Sequence, residues 1–147
     1  EPVGMNALAR TTLEELDEIQ AHRGMTCTFR DEGPLVVRMN PSLAGSLVSN
    51  LLKNAFVHGR PQGRILVQVA PRWLEVANDA TDGPLDAARI FDRFYHDHRK
   101  AGSTGLGLAI VDAVCRLYGL QAEYAFEEGM HRFRIRFPES VVVPQQE

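Results

Sequence analysis

The amino-acid sequence predicts a two-layer α/β sandwich, with helices covering one face of a mixed or antiparallel sheet. Segments with helical periodicity alternate with strand-like segments, and these strands come in pairs rather than singly. A doubly wound parallel sheet would need single strands between helices, so the pattern argues against that fold. The 147 residues suit one domain, and a hydrophobic content of 44% is enough for one core.

Charge and cysteine content narrow the classes of function. The chain has 16 Lys and Arg against 19 Asp and Glu, and its net charge of −3 excludes a broad basic nucleic-acid surface. No apolar run approaches the roughly 18 residues of a membrane span, so no direct membrane contact is expected. Cys27 and Cys115 lie far apart, which predicts free thiols in a reducing compartment rather than a zinc site or a disulfide.

The first helix and the first strand pair are predicted from local signals. Thr12 and Glu15 have the spacing of a capping box, so the first helix is predicted to begin there and to end before Gly24. Two short strands are predicted next, at residues 25–30 and 35–39, on either side of a turn.

The second helix has the clearest boundaries. Asn40 as N-cap and Pro41 at the first helical position predict its start, and the helix is expected to run to His58. Two strands with a short connection follow, at residues 64–69 and 73–77.

The last third of the chain is predicted to contain a helix, a loop, a second helix and two strands. A short helical stretch is predicted at residues 86–94, a charged loop at 95–102, and a longer helix at 104–118. Strands at residues 121–126 and 131–137 complete the sheet.

The second helix carries a stripe of asparagines. Asn50 and Asn54 are one turn apart, so their amides lie above one another, opposite the core positions Ala44, Val48, Leu51, Leu52 and Ala55. One interpretation is a solvated polar face. The other is that the side-chain carbonyls hold a hydrated Mg²⁺, a hard cation that prefers oxygen ligands.

A glycine-rich turn at residues 100–108 leads directly into the third long helix. Gly102, Gly105 and Gly107 let the backbone approach a ligand closely, and the first N–H groups of that helix form an anion site. The spacing fits neither the lysine-containing phosphate loop nor a dinucleotide fingerprint. The alternative interpretation is a flexible loop that ends in glycines.

Three motifs stand in a fixed order along the chain. Residues 50–58 (NLLKNAFVH) resemble the N box of sensor histidine kinases, residues 89–95 (RIFDRFY) their F box, and residues 102–111 (GSTGLGLAIV) their second glycine box. The chain therefore resembles the catalytic and ATP-binding domain of a bacterial two-component sensor histidine kinase. That family shares its Bergerat-type nucleotide fold with the DNA gyrase B subunit, the heat-shock chaperones and the mismatch-repair ATPases.

The resemblance implies a five-stranded mixed sheet under three helices, with ATP held between the helices and a lid at residues 95–101. Asn54 matches the asparagine that ligates Mg²⁺, and Asn50 matches a polar partner of the metal or its waters. His58 matches an N-box position near the nucleotide, and Arg93 matches an F-box arginine that pairs with phosphates.

The resemblance also places the phosphates on the glycine-rich turn. The matching residues there are Lys100, Gly102, Ser103, Thr104, Gly105, Leu106 and Gly107. Val57 stands where the family's N box often has Lys or Arg, and Lys53 or Lys100 is the candidate for the missing charge.

One departure from the family concerns adenine. The family's first glycine box carries an Asp that accepts a hydrogen bond from the adenine amino group, and Asn78 aligns with it. The Asn78 carbonyl still accepts, but without the charge assistance of a carboxylate. Asp79, one residue on, is the alternative acceptor.

The resemblance implies transfer of the ATP γ-phosphoryl group to a histidine. None of the 5 histidines has the helical context of an acceptor, so the acceptor is expected on a dimerisation domain outside this chain, with a response regulator downstream. Residues 1–10 are then expected to be a leader from that domain, 11–138 the catalytic domain, and 139–147 a loose tail. The parent is expected to be an inner-membrane receptor with this domain in the cytoplasm.

Three alternatives stay open. An ATPase of the same fold would need a glutamate base where Asn50 stands. An anti-sigma-factor serine kinase shares the N and glycine boxes, but residues 91–95 are typical of sensor kinases. A nucleotide-sensing or scaffold domain with a decayed site is the third, and ATP-analogue binding separates it from the enzymes.

Overall fold

The computed structural model describes residues 2–19, 24–86, 88, 90–91 and 107–145. In chain order its elements are β1 (Pro2–Gly4), α1 (Met5–Ile19), β2 (Thr26–Asp31), β3 (Val36–Arg38), α2 (Pro41–His58), β4 (Arg64–Ala70), β5 (Trp73–Asp79), α3 (Gly107–Tyr118), β6 (Gln121–Glu127) and β7 (Met130–Arg136). Five strands form one sheet in the order β2-β4-β5-β7-β6, and β1 and β3 form a separate pair.

The five-stranded sheet is mixed, as predicted. β2 pairs with β4 in parallel, and the other neighbouring pairs are antiparallel. The core lies between one face of this sheet and the helices, and its largest side chains come from both layers: Leu47, Leu51, Leu52 and Phe56 from α2, and Ile65, Leu74, Phe133 and Ile135 from the sheet. The two-layer α/β sandwich is therefore confirmed.

The ends of α2 are set by local sequence. The Asn40 side chain caps the helix, and its oxygen accepts from the backbone N–H groups of Ser42 at 2.8 Å and Leu43 at 3.2 Å. Pro41 is the first helical residue and His58 the last. Both predicted boundaries of this helix are confirmed.

The predicted start of the first helix is wrong. α1 begins at Met5 rather than Thr12, and the Thr12 hydroxyl donates to a backbone carbonyl one turn earlier in the helix, at 2.8 Å. Met5 and Ala9 are fully buried, and the Met5 N–H donates to the Leu35 carbonyl at 2.8 Å. The backbone contact at this start is long-range, and among the described residues no local cap marks it.

The C-terminal residues also pack on the fold, where the sequence predicts a loose tail. The Arg38 N–H donates to the Val141 carbonyl at 2.8 Å, and the Val143 N–H donates to the Val36 carbonyl at 2.7 Å. Val37 pairs with Val3 in β1 and also with residue 142. β3 is thus flanked by β1 on one edge and by residues 141–143 on the other.

The short helix predicted at residues 86–94 and the lid predicted at 95–101 lie largely outside the described residues. Ile90 is buried, and Phe91 packs edge-on against Phe133 with ring centroids 6.2 Å apart. Within the described residues, no helix combines the length and the apolar character that crossing a bilayer requires.

Candidate functional site

The asparagine stripe of α2 meets the first residue of α3. A Cβ atom added to Gly107 would lie 3.4 Å from Asn50 Oδ1, so the two residues are direct neighbours. The Asn50 amide nitrogen donates to the Ser46 carbonyl at 2.8 Å, which leaves Oδ1 directed at Gly107. An acceptor oxygen is therefore held at the start of a helix, where backbone N–H groups have no intrahelical partners.

Asn54 and His58 continue the stripe along α2 at one-turn intervals. Asn50, Asn54 and His58 are all partly exposed, and the stripe spans about 12 Å at 1.5 Å of rise per residue. The core positions predicted for the opposite side of this helix are all buried. The predicted division of α2 into a core face and a polar face is confirmed.

Asn78 lies at the far end of the stripe, beside the end of α2. A Cβ atom added to Gly59 would lie 3.5 Å from Asn78 Cβ. Asn78 is 1% exposed. It follows the core residues Leu74 and Val76 at two-residue intervals in β5, so all three side chains lie on the helix-covered face of the sheet. Its amide nitrogen donates to the Asp79 carbonyl at 3.1 Å, which leaves its own carbonyl as the acceptor.

Asp79 lies on the opposite, open face of the sheet. Its carboxylate accepts the Arg64 backbone N–H at 2.7 Å and two Arg64 guanidinium N–H groups at 2.9 Å each. Arg60 adds an ion-pair contact at 3.7 Å. The hydrogen bonds from Arg64 hold the pKa of Asp79 below its usual value, although burial opposes them. Of the two candidate adenine acceptors, it is Asn78 that shares a face with the stripe.

Seven predicted site residues lie outside the described part of the chain: Arg93, Lys100, Gly102, Ser103, Thr104, Gly105 and Leu106. Their roles stay predictions. The structure brings together Asn50 and Gly107 at one end of the stripe and places Asn78 at the other end.

Sequence reasoning misses two polar residues near Asn78. His131 is the residue opposite Asn78 across β5 and β7, and the Tyr124 hydroxyl lies 2.8 Å from His131 Nδ1. The turn at Glu128 and Gly129, both at positive φ, fixes the β6–β7 register from local sequence. The pairing of β7 with β5 has no such local signal, since the two strands are separated by α3 and β6.

Residues 39–141 match the family described as histidine kinase-, DNA gyrase B-, and HSP90-like ATPase, and this chain belongs to that family. Its relatives include sensor histidine kinases. The probable sensor histidine kinase TcrY of Mycobacterium tuberculosis is 33% identical over 114 residues, which cover 71% of this chain and 24% of TcrY. The sensor protein QseC of Escherichia coli is 36% identical over 91 residues, which cover 60% of this chain and 20% of QseC.

Solved structures with a similar fold include histidine kinases. The mycobacterial sensor histidine kinase MprB gives a TM-score of 0.82 at 23% identity, over 99% of this chain and 100% of that one. The catalytic domain of histidine kinase ThkA gives 0.84 at 20% identity, over 95% of each chain. The fold and the resemblance to histidine kinase catalytic domains are therefore confirmed, for a chain that spans 20% to 32% of the length of four matched relatives.

Proposed function

We propose that this chain binds Mg²⁺ and ATP and acts as the catalytic domain of a sensor histidine kinase, transferring the γ-phosphoryl group to a histidine on a separate dimerisation domain. The observation that carries the proposal is the contact between Asn50 and Gly107. It puts a side-chain oxygen suited to a hard cation beside a helix start suited to phosphate, which is the pairing that a metal–nucleotide complex needs.

The residues that would hold the ligand divide along the stripe. Asn54 and Asn50 would take the Mg²⁺ or its waters, Gly107 would face the phosphates, and His58 would lie along the nucleotide. Asn78 would accept from the adenine amino group, since Asp79 is bound by Arg64 on the other face. When bound, Mg²⁺ neutralises charge on the phosphates.

Asn50 occupies the position where an ATPase of this fold would need a glutamate base, and an amide cannot accept a proton from water at neutral pH. This favours phosphoryl transfer over hydrolysis. His131 sits in a strand and is 5% exposed, so it is not a phosphoryl acceptor within this chain. These features support an acceptor histidine on a dimerisation domain. From the similarity to sensor histidine kinases we also propose a response regulator as the next partner and a cytoplasmic position beneath a membrane receptor.

The metal assignment is tested by titrating ATP into the wild type and Asn54→Ala, with Mg²⁺ and with a chelator. We expect Asn54→Ala to lose at least about tenfold in affinity with Mg²⁺, in line with other changes around metal sites, and to match the wild type without it. Ser42→Ala is the control, because Ser42 is exposed on the same helix and lies in its first turn, away from Asn54. Equal Mg²⁺-dependent affinity for ATP in Asn54→Ala and the wild type would contradict the assignment of Asn54 as a Mg²⁺ ligand.

The phosphoryl acceptor is tested on the full-length parent incubated with γ-labelled ATP. A phosphohistidine is labile in acid and stable in alkali, whereas a phosphoserine behaves in the opposite way. Alkali-stable, acid-labile label supports the histidine kinase, and the reverse pattern supports the serine kinase. ATP binding with no label at all would support a nucleotide-sensing domain.

A further inference from the structure

The helices α2 and α3 pack against each other and are in contact at both ends. At one end Asn50 Oδ1 lies beside Gly107, the first residue of α3. At the other end the backbone N–H of Asn40, the N-cap of α2, donates to the hydroxyl of Tyr118, the last residue of α3, at 2.9 Å. The helices therefore run antiparallel, and the two contacts are about 15 Å apart along α2 and about 16 Å apart along α3.

The Asn50 side chain is held by its own helix. Its amide nitrogen donates to the Ser46 carbonyl at 2.8 Å and lies 3.3 Å from Ser46 Oγ. Because both of these partners belong to α2, the amide keeps its orientation relative to that helix, and Oδ1 moves with it. The distance between Asn50 Oδ1 and Gly107 is therefore set by the position of α2 along α3, rather than by rotation of one side chain.

The packing between the two helices is apolar. The buried residues of α3 are Val111, Val114 and Cys115, and they belong to the same core as the apolar side of α2. Burial of such side chains is not directional, and small slides of packed helices past one another are a common motion in proteins. A hydrogen bond depends on both distance and angle, so the bond from Asn40 to Tyr118 favours one register of the two helices.

Asn40 is firmly joined to the rest of α2. Its side-chain oxygen accepts from the backbone N–H groups of Ser42 and Leu43, and its backbone carbonyl accepts from the Ala44 N–H at 2.9 Å. A restraint on the Asn40 backbone is therefore a restraint on the first turn of α2, and through the helix on Asn50.

We propose that Tyr118 is a positioning residue: its hydroxyl, acting through Asn40, holds α2 in the register that places Asn50 Oδ1 against Gly107. The inference rests on the proposed function and deepens it, because that contact is the Mg²⁺–phosphate end of the proposed site. Tyr118 lies a helix length away and touches neither metal nor nucleotide. It raises the fraction of molecules in which the contact is formed, and apparent affinity scales with that fraction.

The first test compares amide NMR spectra of nucleotide-free variants. Tyr118→Phe removes the hydroxyl and keeps the ring, which packs against the core. We expect the signals of the Gly107 N–H and of the Asn50 side-chain amide to shift, although both lie far from the substitution. The matched control is Asn40→Ala, which removes the side-chain cap of α2 but keeps the backbone N–H that donates to Tyr118. It should leave both signals in place. Unchanged signals in Tyr118→Phe overturn the proposal.

The second test compares affinity for Mg²⁺–ATP with affinity for adenosine, which has the base but no phosphate. Tyr118→Phe should weaken Mg²⁺–ATP binding about two- to tenfold, the range that one neutral hydrogen bond contributes. Adenosine affinity should be unchanged, because Asn78 on the sheet would hold the base. Asn40→Ala should bind both ligands like the wild type, although loss of its cap lowers stability.

Three results of the second test overturn the positioning role. They are wild-type Mg²⁺–ATP affinity in Tyr118→Phe, an equal loss of affinity for both ligands in that variant, and an equal loss of Mg²⁺–ATP affinity in Asn40→Ala. The last two would indicate general loosening of the fold. If the wild type itself binds no Mg²⁺–ATP, the proposed function fails, and the spectra separately decide whether Tyr118 sets the register of α2 against α3.

Discussion

The two faces of the five-stranded sheet satisfy their polar groups in different ways. On the covered face, Asn78 and His131 sit among core side chains, and each hydrogen-bonds to an uncharged group, the Asp79 carbonyl and the Tyr124 hydroxyl. On the open face, Asp79 and Glu75 are each bound by arginine side chains through two hydrogen bonds. Because Asn78 and Asp79 are consecutive, the end of β5 contributes one residue to the proposed ligand site and the next residue to an ion pair on the open face.

The open face is built from alternate residues of β5 and β7. Glu75 is 5% exposed and accepts from Arg132 at 3.0 Å and from Arg134 at 2.9 Å. The Arg134 guanidinium also lies 3.8 Å above the centre of the Trp73 ring. Charge-assisted pairs of this kind are stronger and geometrically more specific than hydrogen bonds between uncharged groups.

The largest effect, on the free energy of unfolding, should come from removing the Glu75 carboxylate on the open face. Glu75→Ala leaves Arg132 and Arg134 without their shared carboxylate, and removing one partner of a buried ion pair costs about 3–5 kcal/mol of unfolding free energy. The control is Glu123→Ala, whose pair with Arg136 is half exposed and is worth about 1 kcal/mol or less. Urea unfolding measures both. Mg²⁺–ATP affinity of the folded Glu75→Ala protein should equal that of the wild type, and a large loss of affinity would contradict the division between the faces.

A smaller effect should come from exchanging amide and carboxylate side chains at Asn78 and Asp79. Asn78→Asp introduces a charged acceptor on the covered face, so ATP binding should tighten by about 1 kcal/mol, the difference between a neutral and a charge-assisted hydrogen bond. The gain should vanish for a purine nucleotide that lacks the exocyclic amino group. Asp79→Asn should leave ATP affinity unchanged. If Asp79→Asn weakens ATP binding while Asn78→Asp has no effect, the acceptor is Asp79.

The smallest effect concerns how the free energy of unfolding falls at acid pH. The folded state holds the pKa of Asp79 below its unfolded value of about 3.9, so this stabilisation is complete above that value and is lost as pH falls through the folded pKa. Asp79→Asn should therefore be less stable than the wild type at neutral pH and should lose less stability on acidification below about pH 4. Urea midpoints measured from neutral to strongly acidic pH check this. Parallel profiles for the two proteins would show that the Arg64 pair contributes nothing.

Local signals account for the parts of the fold that the sequence predicts correctly. The N-cap at Asn40 and the asparagine stripe depend on neighbours within one or two helical turns. The start of α1 at Met5 does not, because its backbone bonds to Leu35 far along the chain. A capping-box pattern inside a longer helix therefore marks the wrong start.

The candidate site shows the same limit. The sequence predicts a strand that ends at Ala77, but β5 runs on to Asp79, and that extension assigns Asn78 and Asp79 to opposite faces. Without it, alternation cannot choose between the two acceptors. The Tyr124–His131 pair follows from the β6–β7 register that the turn at Glu128 and Gly129 fixes. Its position beside Asn78 depends on the register between β5 and β7, which is fixed by packing across the sheet rather than by any short motif.

The placement of β3 between β1 and residues 141–143 has a mechanical consequence. A pull on Val3 and a pull on Val142 meet at Val37, so tension between the two ends of the domain is borne in shear along one short strand. The five-stranded sheet and the asparagine stripe lie outside that line of force. Force applied through neighbouring segments would therefore load β1, β3 and residues 141–143 before it reaches Asn50 or Asn78.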